Sequence, residues 1–283
     1  MKISDCKPNH TAVRVSLWRA LHCKIDDQPL VFNDPLGEKI VQDPDWQNRP
    51  DMEPEFCKIM RSSIIARSKY VEDYLLNPST DEIDQYIILG AGLDTFGHRY
   101  KNKEKAIKIF EVDDESTIIW KKNRLQSIGL EELNNLYYIP INLDGNNWIE
   151  KLIETPFDFS KPTLISSLGL SMYLSKESNV ELLKLIFSKF NSSIFIMSYL
   201  QSIELLSKTE QETMKFVMNR TREAGTPFKS LFRPQELLKL ATEIGYKNCE
   251  IITGEDLYEM YFSDRNDKLN PGNTEHLLVL KNY

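Results

Sequence analysis

Residues 85–100 read QYIILGAGLDTFGHRY, and this stretch decides the fold. Its apolar first half has the pattern of a strand that runs directly into Gly90, Ala91 and Gly92. Glycines there allow a tight turn and let the backbone approach a ligand closely. A dinucleotide-binding turn would have a third glycine three residues after Gly92, and Thr95 stands there instead. The motif therefore disfavours an NAD-linked oxidoreductase, and a plain strand-to-loop turn is the simpler alternative.

A second, acidic signal follows about twenty residues later, where residues 110–114 read FEVDD. An acidic side chain at the end of the second strand can accept hydrogen bonds from both hydroxyls of a ribose. Glu111 and Asp113 share one face of an extended segment, and Asp113 lies nearer the strand end, so we favour Asp113. The alternative is that Asp113 or Asp114 caps the following helix, a role that Asp114 could fill by itself.

Outward from these motifs, short apolar runs alternate with amphipathic segments of helical length. The predicted strands are 86–89, 107–112, 137–139, 163–166, 193–198, 246–252 and 276–280. Helices are predicted over 11–23, 34–42, 56–76, 114–127, 147–154, 176–190, 203–224, 234–244 and 255–262, and directly after Asp94. This alternation predicts an α/β fold with a doubly wound, mostly parallel seven-stranded sheet, whose ligand lies beyond the carboxyl ends of the strands. The final strand has room to run antiparallel.

Composition narrows the function classes. The chain has 283 residues, 41% of them apolar, 27% charged, and a net charge of −7. These values are typical of a globular protein. A protein with net negative charge is not expected to bind polyanions by electrostatic attraction, so neither nucleic acid nor a membrane is an expected partner. The four cysteines and four histidines show no metal-ligand spacing, so no metal is expected. No signal peptide or spanning segment is recognisable, so we expect a cytoplasmic protein with free thiols.

Further segments carry a resemblance to a known family. The relevant stretches are LGAGLDT (89–95), FEVD (110–113), PINLDGNNW (140–148), PTLISSLGLSMYL (162–174), TAVRVSLWRALH (11–22), DQPLVFNDPLGEKIV (27–41) and ARSKYVEDYL (66–75). In this order they resemble the leucine carboxyl methyltransferase family, which includes bacterial polyketide carboxyl O-methyltransferases. The resemblance implies a Rossmann-like class I fold that binds S-adenosylmethionine and transfers its methyl group to an oxygen, often that of a carboxylate.

The same resemblance implies a set of cofactor-binding residues. It puts Gly90, Ala91 and Gly92 beneath the cofactor and Asp113 on its ribose. Arg67 matches an arginine that holds the methionine carboxylate, a role that suits the bidentate fork of a guanidinium group. Asp94 is a further candidate, which could orient Arg67, approach the ammonium group of the cofactor, or simply cap the loop.

The chain departs from the family pattern at two positions. Asn142, followed by Leu143, stands where the family usually has an aspartate that contacts the adenine, and its side-chain oxygen can still accept a hydrogen bond there. Leu168 replaces a glutamate, which implies the loss of one cofactor contact. These departures motivate an alternative function, a catalytically weakened cofactor-binding protein of the same fold with a regulatory or binding role.

The predicted domain organisation is one methyltransferase domain over 1–283. Its parts are an N-terminal helical cap (1–80), a cofactor-binding core (84–200), a helical insertion on the substrate side (201–245) and closing strands (246–283). The insertion is rich in aromatic residues and methionines, which suit either a substrate pocket or ordinary core packing. These residues are Met214, Phe216, Met218, Phe228 and Phe232.

The predicted reaction is an in-line methyl transfer, in which correct placement of the acceptor oxygen supplies much of the catalysis. A carboxylate acceptor is ionised at neutral pH and needs no general base, whereas a phenol would benefit from one. His10, His22 and His98 are weak candidates for such a base, and Tyr199, like Tyr173, follows a strand that ends at the predicted cleft. The predicted acceptor is therefore a carboxylate on a small metabolite or at a protein C-terminus.

Overall fold

The computed structural model describes residues 8–77, 83–100, 107–141 and 147–283. Within these ranges the chain forms seven strands and ten α-helices. The strands are β1 Gln85–Leu89, β2 Lys108–Asp113, β3 Leu136–Pro140, β4 Thr163–Ser167, β5 Ser193–Leu200, β6 Asn248–Ile252 and β7 Glu275–Asn282. The helices are α1 His10–Ile25, α2 Leu36–Val41, α3 Lys58–Leu76, α4 Phe96–Tyr100, α5 Glu115–Ser127, α6 Trp148–Ile153, α7 Lys176–Lys189, α8 Lys208–Glu223, α9 Pro234–Ile244 and α10 Gly254–Tyr261.

The strands form one sheet in the order β3-β2-β1-β4-β5-β7-β6. β1 to β5 are mutually parallel, and β7 runs antiparallel to both of its neighbours, β5 and β6. The predicted fold class is therefore confirmed. From β1 the chain first builds β2 and β3 on one side and then returns to build β4 and β5 on the other. The switch point thus lies between the carboxyl ends of β1 and β4, where doubly wound sheets bind ligands.

Both faces of the central strands are buried, which explains why these strands read as continuous apolar runs. Ile88 and Ile196 point to one apolar layer, and Ile87 and Phe195 point to the other. Successive side chains of a strand alternate between faces, so one run of sequence supplies both cores. The buried sheet therefore positions the loops that follow the carboxyl ends of its strands.

Helices α1 to α3 pack at the carboxyl end of β1. A separate apolar cluster holds them together, with Leu17, Trp18 and Met52 at its centre. Ala12 of α1 lies so close to Gly92 that a Cβ at position 92 would be 3.1 Å from the Ala12 Cβ. The cap thus covers the glycine-rich loop directly.

The predicted helix over 203–224 is wrong at its start. The structure has a short 3₁₀ turn over Ile203–Leu205, and α8 begins only at Lys208. Ser207 and Glu210 form a reciprocal capping box, which starts a new helix there because it satisfies free N–H groups at the N-terminus. In the described ranges, no helix combines the length and the apolar character that a bilayer crossing requires.

Candidate cofactor and acceptor site

The loop after β1 is held by main-chain hydrogen bonds to β2. The N–H groups of Gly90 and Ala91 both donate to the carbonyl oxygen of Val112, at 2.9 and 3.2 Å. Gly90 and Gly92 have φ angles of 71° and 53°, a region that favours glycine. A Cβ on Gly90 would also lie 3.3 Å from the side chain of Leu170, so this turn has little space for a larger residue.

Asp113 ends β2 directly beside this loop. Its Oδ2 accepts a hydrogen bond from the N–H of Gly92, and its Oδ1 accepts one from the N–H of Asp114, both at 2.6 Å. Asp114 caps α5 through the N–H of Ser116, so Asp113 has no capping duty. Burial raises the pKa of Asp113, and the N–H donors of Gly92 and Asp114 act against that rise. An oriented carboxylate thus lies at the edge of the crevice, which is the space beyond the carboxyl ends of β1 and β4.

Glu111 lies one step back on the same face of β2. Its carboxylate pairs with the ammonium group of Lys121, which reaches down from α5, and both side chains are buried. Lys121 also lies over the ring of Tyr138 on β3, 6.0 Å from its centroid. Burial raises the pKa of Glu111 to about 7, although the charge of Lys121 opposes the rise.

Arg67 of α3 reaches the crevice from the other side of the loop. Its Nη1 donates to Oε1 of Glu275, and the hydroxyl of Ser63 donates to Oε2 of the same carboxylate at 2.8 Å. Its Nη2 lies against Gly169, where a Cβ would be only 2.7 Å away. Its Nε is buried and has no hydrogen-bond partner. Arg67 is thus anchored by Glu275 while one N–H donor stays unsatisfied.

Asp94 belongs to a charged network that ties the cap to the glycine-rich loop. Its Oδ1 accepts the N–H of Phe96 at 2.7 Å and so caps α4, and its Oδ2 lies 3.6 Å from Nη1 of Arg19. Arg19 also donates to the carbonyl oxygen of Leu93 at 2.7 Å and pairs with Asp34 at 3.0 Å. Asp94 thus caps α4, as one of the three alternatives for it predicts, and it forms an ion pair with Arg19.

Two hydroxyl groups face each other on the cap side of the crevice. Thr11 Oγ1 and the phenolic oxygen of Tyr173, which follows β4, are 3.5 Å apart. Burial raises the pKa of Tyr173, while the charges of Arg14 and Arg67 act against that rise. Arg14 is itself held by Asp51, whose Oδ2 accepts from Nε at 2.9 Å. Two hydroxyls and two arginines thus share one region.

The weak candidates for a general base occupy different environments. His10 is exposed at the start of α1, and His98 is buried on α4. His22 is a structural residue: its Nε2 accepts the N–H of Phe32 at 3.3 Å, and its Nδ1 bonds to Asp26 at 2.7 Å. Tyr199 is fully buried, and its hydroxyl has no partner.

Asn142 and Leu143 lie outside the described residues. Leu168, at the carboxyl end of β4, is half-buried and packs against the core. Two further residues of the site, Glu275 and Lys121, were not anticipated from the sequence. Glu275 is 208 positions from Arg67, so only the insertion of β7 between β5 and β6 reveals their contact. The sequence does show a lysine, Lys121, on the helix that follows FEVD, but it does not show that this lysine is buried.

Comparison with known proteins gives this geometry a context. The profile of the leucine carboxyl methyltransferase family matches residues 12–187. The chain belongs to this family. The predicted class is confirmed with it: this member is a methyltransferase that uses S-adenosylmethionine as its methyl donor.

Individual relatives of this family member are moderately similar. The Bacillus subtilis protein YktD, provisionally named an S-adenosyl-L-methionine-dependent methyltransferase, is 29% identical over 252 residues, which cover 87% of this chain and 80% of that protein. Rv1729c of Mycobacterium tuberculosis, provisionally named in the same way, is 29% identical over 181 residues, which cover 59% of this chain and 57% of that one. The chain thus spans little more than half the length of this mycobacterial relative.

Solved structures of two bacterial proteins show the same fold. A provisionally named methyltransferase of Thermobifida fusca has a TM-score of 0.60 at 16% identity, over 99% of this chain and 97% of that one. A DUF574 family protein of Streptomyces avermitilis has a TM-score of 0.61 at 13% identity, over 99% of both chains. At such identities the likeness concerns the fold alone.

Proposed function

We propose that this family member methylates a carboxylate of a small metabolite or of a protein C-terminus. The observation that carries the proposal is the pair of hydroxyls on Thr11 and Tyr173, where the charges of Arg14 and Arg67 act on the Tyr173 phenol and are opposed by that of Glu275. Hydroxyl donors beside positive charge suit an anionic acceptor, because hydrogen bonds to an ionised group are stronger than those between neutral groups.

The cofactor side of the proposal rests on residues whose environments fit the donor. Gly90 and Gly92 keep the loop free of side chains, and Asp113 offers carboxylate oxygens to the ribose hydroxyls. The unpartnered Nε of Arg67 is a buried donor that the methionine carboxylate would satisfy. Ala91 and Asp94 complete the proposed site within the described ranges. When bound, S-adenosylmethionine supplies an electrophilic methyl group on a sulfonium centre.

The work left to the protein is orientation. A carboxylate is already ionised at neutral pH, so no proton has to be removed before its oxygen attacks. Tyr173 stays protonated and can donate its O–H to one acceptor oxygen, while the Thr11 hydroxyl can serve the other. Holding the acceptor in line with the scissile bond converts a bimolecular encounter into a reaction within one complex.

A label-transfer experiment tests the acceptor class. Purified protein is incubated with S-adenosylmethionine that carries a tritiated methyl group, together with metabolite or protein pools from cell extract. Labelled products are then treated with mild alkali. Methyl esters hydrolyse and release volatile tritiated methanol, whereas methyl ethers and methylamines do not. We expect the transferred label to become volatile.

Arg14 and Arg49 provide a matched pair of variants, since both arginines hold Asp51 and both are partly exposed. We expect Arg14→Gln to raise KM for the acceptor about tenfold, because an anionic acceptor loses the attraction of this positive charge, and Arg49→Gln to leave KM unchanged. Label that resists alkali would contradict carboxylate methylation. Tight cofactor binding without transfer to any pool would instead support the alternative, a binding protein that has lost catalysis.

A further inference from the structure

The buried pair of Lys121 and Glu111 is the feature that the proposed reaction leaves unexplained. The two side chains are 1% and 2% exposed, and they join α5 to β2, the strand next to the β3 edge of the sheet. Removing two charges from water is costly, and a buried ion pair is often no more stable than an apolar pair of the same size. Stability alone therefore does not explain this buried pair, and we consider a functional role for it.

The position of the pair relative to Asp113 suggests that role. Glu111 and Asp113 are two residues apart on β2, so they share one face and lie about 7 Å apart along the strand. The ammonium group of Lys121, which contacts Glu111, therefore lies within range of electrostatic interaction with Asp113. The charge of Lys121 is also one of the factors that act against the burial-driven rise in the pKa of Asp113.

Among the charged groups at this edge, Lys121 is the one that acts together with the N–H donors of Gly92 and Asp114 in favour of an ionised Asp113. The charge of Asp114, at the start of α5, adds to the rise in the pKa of Asp113, and the charge of Asp94, on the loop after β1, adds to the rise in the pKa of Glu111. Arg19 is engaged with Asp34, Asp94 and the carbonyl oxygen of Leu93. From β3, Tyr138 packs over the ammonium group, and burial together with the charges of Glu111 and Glu132 raises the pKa of that phenol, so it stays neutral.

We propose that Lys121 is a positioning residue for the cofactor: its buried ammonium group, held in place by Glu111, stabilises the ionised carboxylate of Asp113 that receives the ribose hydroxyls. The inference rests on the proposed role of Asp113 and adds a second residue behind it. Glu111 serves as the anchor of Lys121 and does not itself contact the cofactor.

This role predicts an asymmetry between the two members of the pair. Lys121→Met removes the cation that supports Asp113, whereas Glu111→Gln keeps a side-chain oxygen that accepts a hydrogen bond from the ammonium group and so holds the cation in place. If the pair has only a structural role, either variant should lose cofactor affinity in proportion to its loss in free energy of unfolding. If the pair acts on Asp113, the change at Lys121 lowers the affinity for the cofactor, whereas the change at Glu111 does not.

The experiment is calorimetric titration with S-adenosylhomocysteine from about pH 6 to about pH 9, alongside the melting temperature of each protein. We expect Lys121→Met to bind about tenfold more weakly than the parent at the acid end of this range, a loss that shrinks as pH rises, because in this variant only the N–H donors of Gly92 and Asp114 favour the ionised form of Asp113. Lys121→Arg, which keeps the charge, is expected to restore most of the affinity. Glu111→Gln is expected to bind within about twofold of the parent.

Equal and pH-independent losses in Lys121→Met and Glu111→Gln would overturn the proposal. If Glu111→Gln does not fold, the pH profile of Lys121→Met against that of Lys121→Arg carries the same test. Asp113→Ala distinguishes failure of the ribose assignment from failure of the role proposed for Lys121. Normal binding by Asp113→Ala would refute the ribose assignment itself, whereas lost binding there with a flat profile in Lys121→Met would refute only the role of Lys121.

Discussion

The two ends of the crevice differ in how completely their polar groups are paired. At the β1–β2 end, Asp113 accepts two main-chain hydrogen bonds, Glu111 pairs with Lys121, and Asp94 caps α4. At the β4–β5–β7 end, buried polar atoms have no partner within the described residues. These atoms are Ser167 Oγ, Tyr199 Oη, both ring nitrogens of His276, and Nε of Arg67 on the adjacent helix.

This difference indicates a division of labour. A buried polar atom without a partner costs about 1–3 kcal/mol, and such atoms are rare unless water or a ligand completes their bonds. The β1–β2 end is therefore built to hold one carboxylate in a fixed orientation. The β4–β5–β7 end keeps unused hydrogen-bonding capacity, some of it, as at Arg67, beside the proposed methionine and acceptor positions.

The largest expected effect is at the fully paired end. Asp113→Ala removes the carboxylate that is proposed to accept from both ribose hydroxyls, and each such charge-assisted bond is worth about 1.5–3 kcal/mol. We expect the affinity for S-adenosylhomocysteine to fall at least about 100-fold by calorimetry. Asp114→Ala is the matched control: it removes the helix cap and lowers the free energy of unfolding by about 1 kcal/mol, with little change in affinity.

A smaller effect is expected from two glycines with nearly the same backbone. Gly169 and Gly225 have φ angles of 70° and 76°, so alanine at either costs about 1–2 kcal/mol in strain. At Gly169 the new Cβ also meets Nη2 of Arg67, which Glu275 prevents from moving freely, whereas at Gly225 nothing lies within 4 Å. Gly169→Ala should therefore weaken S-adenosylhomocysteine binding about tenfold, and Gly225→Ala should not. Similar affinities in the two variants would show that Arg67 does not hold the cofactor.

The unpaired end is expected to respond to pH. Burial lowers the pKa of His276, with Asp256, Glu275 and Glu210 acting against that change. The unfolded chain then binds a proton more readily, so stability is present above the ordinary histidine pKa and is lost as pH falls through the folded value. His276→Gln should remove this component, which is at most about 1.4 kcal/mol per pH unit. Denaturant unfolding of both proteins between about pH 5 and pH 7 measures it, and parallel curves would contradict it.

The smallest effect is expected at Tyr199. Its hydroxyl is buried without a partner, so Tyr199→Phe removes an unsatisfied group and should leave the free energy of unfolding unchanged or raise it by up to about 1 kcal/mol. The methyl-transfer rate should be unaffected, because a residue so enclosed does not reach the acceptor. A large loss of kcat with normal stability would reinstate Tyr199 as a catalytic candidate.

Sequence reasoning reached furthest where structure depends on neighbours in the chain. Strands β1 to β5 were predicted to within two residues at each end, because a parallel strand buried on both faces leaves an unbroken apolar run between polar turns. The start of α8 was missed, since the periodicity of 203–224 continues through Ser207 while its capping box starts a new helix. Local hydrogen bonds outweighed the hydrophobic period there.

The site divides in the same way. Gly90, Gly92 and Asp113 could be proposed because a loop and the adjacent strand end encode them within a short stretch. Glu275 and Lys121 could not, because their roles come from distant elements that the sheet brings together. A single sequence records which residues carry charge, and tertiary contacts decide which of these charges are buried against each other.

The place of β7 has a consequence for synthesis of the chain. β7 is made last of the seven strands, yet it lies between β5 and β6 and contributes Glu275, the anchor of Arg67. While the ribosome still holds residues 275–282, β5 has an open edge, β6 has no sheet to join, and Arg67 lacks its carboxylate. Vectorial synthesis thus completes the glycine-rich loop before β7 supplies the anchor of Arg67.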